Sequence, residues 1–330
     1  MTRTRTVNQQ TLPDLPEHLS DYVELRGGPG QLIAFVALLA GVKPAMDDWI
    51  EASSLDRFLA FAHSLGLSAA VSSYFDFIDD PADNARIVGG MSLNTTQARG
   101  LPPWQAPTGA AHVFLARDDD ALRQVMAFGW YPLVVHERVV HKPWIDHFHF
   151  GRLLGYPDCC RRFFAKHNDW NRENTLYQAY RRTTTPSYLC NSLLKHGGLS
   201  YTFHMPCSFD CPASIERARA VRAAVASHSR ELAAYADEQL RRPYLVLSEW
   251  DAFRLDGKFW ADGRVLYRTV RAVPGNRPNR RLEESLRAGD TVDVVRGIVR
   301  IHRDGSVVET YSSVSDRFGP EVPFLVDFSR

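Results

Sequence analysis

The segment LGYPDCCRRFF, which runs from Leu154 to Phe164, places two adjacent cysteines directly after a proline and an aspartate. Proline is favoured in the first turn of a helix, so this segment predicts a helix that begins near Pro157 and carries Cys159 and Cys160 in its first turn. The partial positive charge at a helix N-terminus favours the thiolate over the thiol. Because the thiolate is the form that binds metals and attacks electrophiles, the pair is a candidate functional site.

The chain contains five cysteines, and all of them lie between positions 159 and 211. Downstream of the first pair they are Cys190, Cys207 and Cys211. Cys211 precedes Pro212, so it marks the start of a second predicted helix, and two helix N-termini therefore present sulfur. We expect the first pair and the last pair to converge around one metal or cluster. Cys190 supplies a fifth thiol, which is either a further ligand or, as we favour, a core residue.

Four interpretations of this cysteine group stay open. The favoured one is an iron–sulfur cluster of the 4Fe–4S type, since cysteine thiolates hold such clusters and a dispersed set can serve when the fold gathers it. The second is a structural zinc site, whose ligands would be Cys159, His204, Cys207 and Cys211. The third is a dithiol redox centre, which the missing C-x-x-C spacing disfavours. The fourth is a set of unrelated core cysteines, which the clustering disfavours.

The favoured interpretation predicts an iron–sulfur enzyme that acts on a small molecule. If three cysteines hold a four-iron cluster, one iron stays open as a Lewis acid, which suits a lyase or a sulfurtransferase. If all four bind, the cluster carries electrons, as in an oxidoreductase, or is structural. The alternatives from other classes are a zinc-stabilised interaction module and a metal-free dithiol redox protein.

Three histidines are candidate catalytic residues beside the cysteines. His204 lies three residues before Cys207, where it is placed to bind the metal or to move protons. His147 and His149 alternate upstream of the first cysteines. On a strand these two side chains would share a face, where they would serve as ligands or as acid and base near neutral pH.

The two cysteine segments together resemble a known sequence pattern. LGYPDCC at positions 154–160 and PCSFDC followed by SIERA at positions 206–218 are similar to the motifs of an uncharacterised prokaryotic family, the domain of unknown function 483. The resemblance covers about residues 150–225 and, loosely, the C-terminal stretch that ends in PFLVDFS. It implies that the cysteines act as a set, and it implies no reaction.

Composition and net charge limit the classes of protein to which the chain can belong. The chain of 330 residues is 45% hydrophobic, which suffices for a core without disulfide bonds. Its net charge of +1 gives no indication of a nucleic-acid or membrane partner, so a small molecule is the expected partner. The first residues lack the apolar core of a signal peptide, and the most apolar run, at positions 32–42, is too short to span a bilayer. We therefore expect a cytoplasmic protein with reduced thiols, whose oligomeric state the sequence leaves open.

Changes in pattern along the chain predict a multidomain α+β or α/β protein. Residues 1–20 predict a flexible lead-in. Residues 21–135 predict a small α/β domain, which includes a βαβ-like unit formed by HVFLAR, DDDALRQVMAF and WYPLVV. Residues 136–242 predict a helical, cysteine-rich domain that ends in one long helix from Pro212 to about Arg242. Residues 243–330 predict a β-rich domain with an Asp-Gly hairpin at 303–306.

Overall fold

The computed structural model describes residues 12–77, 98–100, 109–128, 133–135, 138–141, 147–167, 174–248, 251–273, 279–312, 315–316, 319–320 and 322–329. Helices and sheets are both present in these ranges, and every strand pairing given for them is antiparallel. The expected fold class is therefore confirmed in its α+β form. Among the described residues, none of the helices combines the length and the apolar character needed to cross a membrane.

The N-terminal part forms one four-stranded sheet with helices beside it. Its helices are α1 (Glu17–Arg26), α2 (Leu32–Leu39), α3 (Leu55–Ser64) and α4 (Asp119–Phe128). Its strands are β1 (Ala45–Glu51), β2 (Ser68–Phe77), β3 (Ala98–Gly100) and β4 (Ala110–Ala116), in the spatial order β1-β4-β2-β3. The helices predicted from QLIAFVALLAG and SSLDRFLAFAHSLG are confirmed as α2 and α3.

The predicted βαβ-like unit is wrong in its pairing. The strand, helix and strand do follow one another as β4, α4 and β5 (Leu133–Val135). However, both edges of β4 are taken by β1 and β2, and β5 pairs instead with β6 (Arg138–His141) in a separate two-stranded sheet. Hydrophobic periodicity identifies a strand but not the neighbour to which it will bond, which explains the error.

The middle of the chain is helical. It contains α5 (His147–Leu153), α6 (Asp158–His167), α7 (Thr175–Arg181), α8 (Pro212–His228) and α9 (Arg230–Leu240), with short 3₁₀ turns at Tyr188–Cys190 and Lys195–Gly197. The single long helix predicted from Pro212 to about Arg242 is two helices. Ser229 adopts an extended backbone conformation between them and caps α9 with its side chain.

The C-terminal part is the predicted β-rich region. Seven strands form one sheet in the order β12-β11-β10-β9-β8-β7-β15. They are β7 (Pro243–Val246), β8 (Ala252–Phe259), β9 (Val265–Ala272), β10 (Thr291–Val295), β11 (Ile298–Arg303), β12 (Ser306–Ser312) and β15 (Phe324–Asp327), with α10 (Arg280–Ala288) between β9 and β10 and a small β13 (Ser315–Asp316) and β14 (Gly319–Pro320) pair. Asp304 and Gly305 have φ values of 50° and 80°, so the Asp-Gly hairpin is confirmed.

The largest hydrophobic core draws residues from every predicted segment. It includes Leu19 and Phe35 from the N-terminal part, Leu232 from the middle, and Val246 and Phe328 from the C-terminal part. Leu19 is fully buried in α1, so the last residues of the segment 1–20, which was expected to be a flexible lead-in, are helical and packed. The domain boundaries at 135 and 242 stay predictions, and this core packs across both of them.

The capping hydrogen bond at Ser229 provides a test of the break between α8 and α9. The Ser229 hydroxyl accepts the Leu232 N–H at 3.0 Å and is buried. We expect Ser229→Ala to lower the free energy of unfolding, measured with denaturant, by about 1 kcal/mol because that N–H loses its partner. Ser227→Ala is the control, since this hydroxyl only donates to the Ala224 carbonyl within α8, and it should stay within about 0.5 kcal/mol of the parent. Equal losses in both variants would contradict the capping role.

Candidate metal centre

The N-terminus of α6 positions the first two sulfurs. The helix begins at Asp158, and the Pro157 carbonyl accepts the Arg161 N–H at 3.0 Å, so Cys159 and Cys160 lie in the first turn as predicted. The Asp158 carboxylate accepts hydrogen bonds from the guanidinium groups of Arg161 and Arg162. Both arginines therefore form ion pairs with Asp158 at the start of the helix.

The N-terminus of α8 positions the other two sulfurs. Cys211 is the N-cap residue, and its carbonyl accepts the Ile215 N–H at 2.9 Å. The turn that carries Cys207 is anchored from outside, because the Asp210 carboxylate accepts the backbone N–H groups of Thr184 and Thr185 at 2.7 and 3.2 Å. This anchoring fixes the turn to the segment that follows α7.

The four sulfurs form one compact group. The Sγ atoms of Cys159 and Cys160 are 3.9 Å apart, and the Sγ atom of Cys211 lies 3.6 and 3.7 Å from them. With the Cys207 sulfur included, all four ligand atoms lie within 4.8 Å of one another. The predicted convergence of two cysteine pairs that are distant in the sequence is therefore confirmed, and such a group can hold a metal ion.

Proton sharing within the group favours a thiolate at Cys211. Hydrogen bonds from the Cys160 and Cys207 thiols hold the pKa of Cys211 well below its usual value. The hydrogen bonds of Cys160 with Cys207 and Cys211, together with burial, raise the pKa of Cys160. At Cys207 the hydrogen bond with Cys160 lowers the pKa. The hydrogen bond with Cys211 and burial have the opposite and larger effect, and they raise the pKa of Cys207 to about 12. A thiolate at Cys211 stands at the N-cap of α8, where the helix dipole stabilises its charge.

Cys190 lies beside the four-cysteine group and outside it. It is fully buried, its Sγ lies 3.7 Å from the Cys211 carbonyl oxygen, and burial raises its pKa. These features agree with a core residue that packs behind the site. Its contact with the carbonyl gives no support to its inclusion among the candidate metal ligands.

His204 reaches the group through a serine. Its Nε2 lies 2.9 Å from the Ser214 hydroxyl, and that hydroxyl lies 3.2 Å from the Cys160 Sγ. Burial lowers the pKa of His204 to about 3, so the ring is neutral. Among the described residues, His204 is not a member of the compact group of ligand atoms. In the zinc site considered from the sequence, Cys160 therefore takes the place of His204 as the fourth candidate ligand.

His147 and His149 do not share the arrangement that the sequence predicted. Both lie in the first turn of α5, where side chains two positions apart diverge, so the expectation of a shared strand face is wrong. The His147 ring packs edge-on against Phe164, and His149 Nε2 lies 3.2 Å from the Arg152 guanidinium. Neither residue belongs to the compact ligand group found among the described residues.

A buried lysine that the sequence analysis missed lies beside the two cysteine segments. Lys43 is 4% exposed, its Nζ donates to the Leu154 carbonyl at 3.0 Å, and it lies over the rings of Tyr156 and Phe203. The Tyr156 ring in turn packs against the His204 ring at 5.0 Å. The only sign of this buried residue in the sequence is a lysine that stands between apolar residues in AGVKPAM. Its partner, the Leu154 carbonyl, is distant in the sequence, so the contact could not be predicted.

Comparisons of the chain with protein-family models, curated proteins and solved structures found no match. The resemblance to the domain of unknown function 483 therefore stays a prediction. What is known of the site rests on its own geometry.

The buried Lys43 predicts a pH-dependent contribution to stability. Burial lowers its pKa to about 7, with Asp47 opposing and Arg217 reinforcing the change. A lysine in an unfolded chain has a pKa of about 10.4. Between roughly pH 7 and 10, Lys43 therefore holds a proton in the unfolded chain that it lacks in the folded chain. The contribution of Lys43 to stability is therefore least favourable at and below pH 7 and improves as the pH rises through this window.

We expect Lys43→Met to exceed the parent protein in unfolding free energy at pH 6–7, by on the order of 1 kcal/mol or more, and to lose that advantage towards pH 10. Denaturant unfolding at a series of pH values measures the difference. Lys258→Met is the matched control, since Lys258 is exposed on β8 and its replacement should give a difference that does not change with pH. A flat difference for Lys43→Met would contradict the low pKa.

Proposed function

We propose that Cys159, Cys160, Cys207 and Cys211 bind one zinc ion in tetrahedral coordination. The sulfur separations support this choice. Zinc–sulfur bonds of about 2.3 Å at tetrahedral angles require sulfurs about 3.8 Å apart. Three of the six sulfur separations are 3.6 to 3.9 Å, and the other three, which involve Cys207, do not exceed 4.8 Å. That agreement with the coordination sphere of a single ion is the observation that carries the proposal.

A zinc ion with four protein thiolates has no open coordination position, so its role here is structural. It would fasten the N-terminus of α6 to the N-terminus of α8, two elements that the sequence separates by about fifty positions. Binding requires deprotonated thiols and couples metal affinity to folding. The backbone N–H of Cys207, which donates to the Cys160 Sγ at 3.4 Å, and the Ser214 hydroxyl would stabilise the thiolate charge.

An iron–sulfur cluster is the second candidate, and Cys159 is the observation that favours it. Cys159 is exposed, so this side of the site faces solvent, and an iron left open there by a 4Fe–4S cluster on the other three cysteines would meet a small-molecule substrate. Such a cluster would supply Lewis-acid or electron-transfer chemistry. However, its cysteines bind different irons and must stand further apart than on one ion, so α6 and α8 would have to separate. The compact group therefore favours zinc.

The environment of the protein follows from the same thiols. All five cysteines are free in the structure, and thiols persist in this state in the cytoplasm. We therefore propose a cytoplasmic metalloprotein, and we keep a small molecule as its proposed partner because the net charge of +1 gives no indication of a nucleic acid or a membrane surface. The metal-free dithiol redox protein stays as the alternative that metal analysis must exclude.

Metal analysis of protein purified under nitrogen tests the proposal directly. We expect a colourless protein with about one zinc per chain and no acid-labile sulfide, and expect cobalt substitution to give the intense visible bands of tetrahedral thiolate coordination. A brown protein with iron and sulfide would replace the zinc proposal with the iron–sulfur candidate. A metal-free protein that cannot be loaded with zinc or reconstituted with iron and sulfide would leave the dithiol interpretation.

The choice of ligands is tested by two cysteine variants. We expect Cys207→Ala to lose the metal, because one corner of the tetrahedron is removed, while Cys190→Ala retains it at the parent stoichiometry. Both variants delete a thiol from the same region, so Cys190→Ala controls for the loss of a buried sulfur. Zinc content and the midpoint of thermal unfolding, with and without a chelator, are the measurements. Equal metal loss in both variants would show that the ligand set is wrong.

A further inference from the structure

We propose that Ser72, His112 and Asp47 form a second site, in which Ser72 is a nucleophile for the hydrolysis of carboxylic esters. The three residues come from neighbouring strands of the N-terminal sheet, β2, β4 and β1. The site is independent of the cysteines, and it offers a reaction class where the proposed zinc ion offers only structure.

The side chains form a continuous hydrogen-bonded chain. Ser72 Oγ bonds to His112 Nδ1 at short range, and His112 Nε2 lies 3.1 Å from Asp47 Oδ2. A nucleophile, a base and a group that orients the base are the three parts that activated serines require. In a neutral imidazole one nitrogen accepts while the other donates, and the hydrogen bond made by one nitrogen sets the state of the other.

Asp47 is placed to act as the orienting carboxylate. Burial would raise its pKa, but the hydrogen bond and charge of His112, with the charge of Lys43, outweigh that effect and lower the pKa. The carboxylate is therefore ionised and accepts from the Nε2–H of His112, which leaves Nδ1 free to accept the Ser72 proton. The Gln31 side-chain amide donates to the Asp47 carbonyl at 2.6 Å and fixes that residue further.

A β-bulge brings the serine over the histidine. Val71 pairs with Val113 and Ser73 pairs with His112, so Ser72 is the extra residue that pairs with nothing across the ladder. Bulges redirect a side chain and are enriched beside active sites. In a regular strand, Ser72 would lie on one face of the sheet opposite a single residue of β4. Because of the bulge, its Oγ bonds to the His112 ring and also lies 3.3 Å from the His112 carbonyl oxygen.

The histidine is the most buried of the three residues, whereas Asp47 and Ser72 are both half-buried. His112 is fully buried and is held between the rings of Trp49 and Phe114, at 5.1 and 4.9 Å. Ser72 is only half-buried. The base is thus protected in a fixed orientation, while the hydroxyl that would attack keeps a surface that a substrate can reach.

The reaction balances with water as the only co-reactant. Ser72 Oγ attacks the ester carbonyl carbon while its proton passes to His112 Nδ1. The tetrahedral intermediate collapses, the C–O bond to the alcohol breaks, and the proton from Nδ1 leaves on the alcohol. Water then attacks the acyl-serine, again losing a proton to Nδ1, and the carboxylic acid is released with Ser72 restored.

A fluorophosphonate probe and p-nitrophenyl acetate test the proposal on the full-length, metal-loaded protein. We expect one probe adduct on Ser72, located by mass spectrometry, and slow ester hydrolysis above the buffer rate. Ser72→Ala should lose both. His112→Gln should slow labelling by about 100-fold or more, because the general base is removed. Ser68→Ala is the control: this half-buried serine lies on the same strand and donates to Asp119, and its replacement should change neither readout.

Folding is checked separately, so that a failed variant cannot imitate a catalytic one. Circular dichroism and metal content of each variant should match the parent. If the folded parent protein neither takes up the probe at Ser72 nor hydrolyses the ester, the hydrogen-bonded chain is structural and the proposal is overturned. Labelling that persists in folded His112→Gln at the parent rate would overturn it equally.

Discussion

The contact between the first turns of α6 and α8, through four sulfur atoms, is the constraint on which the middle of the molecule depends. Both helices point their N-termini at the same place, and each N-terminus carries about half a positive charge. In the metal-free group this field favours a thiolate at Cys211, to which the neighbouring thiols donate. A bound dication with four thiolates would be negative overall, so the same two helix ends that select the thiolate would also stabilise the complex.

The supports around the sulfurs explain how such a group persists before any metal is bound. The carboxylate of Asp210 holds the Cys207–Cys211 turn by two backbone N–H groups, and the carboxylate of Asp158 takes up both neighbouring arginines. The buried His204 and Ser214 fill the space next to Cys160 with a hydrogen-bonded pair. These hydrogen bonds outside the coordination sphere would orient the four thiolates around a bound ion.

The local features of this site could be predicted from the sequence, whereas the long-range ones could not. Pro157 and Pro212 identified two helix starts, and the density of cysteines indicated that those starts converge. The pairing of β4 with β1 and β2, and the helical state of the segment at 147–153, depend on neighbours that are distant in sequence. The break at Ser229 was a missed local signal, because a serine followed by Arg-Glu-Leu suits an N-cap.

The hydrogen-bonded chain of Ser72, His112 and Asp47 shows most clearly why sequence order hides a site. None of the three stands in a recognisable motif, and only strand register and one bulged residue bring them together. The same sheet links them to the cysteines. Lys43, whose charge acts on Asp47, donates to the carbonyl of Leu154 and lies over Tyr156, which packs on His204. Because Leu154 and Tyr156 lie just before α6, a structural ion at the cysteines would also steady the segment that Lys43 contacts.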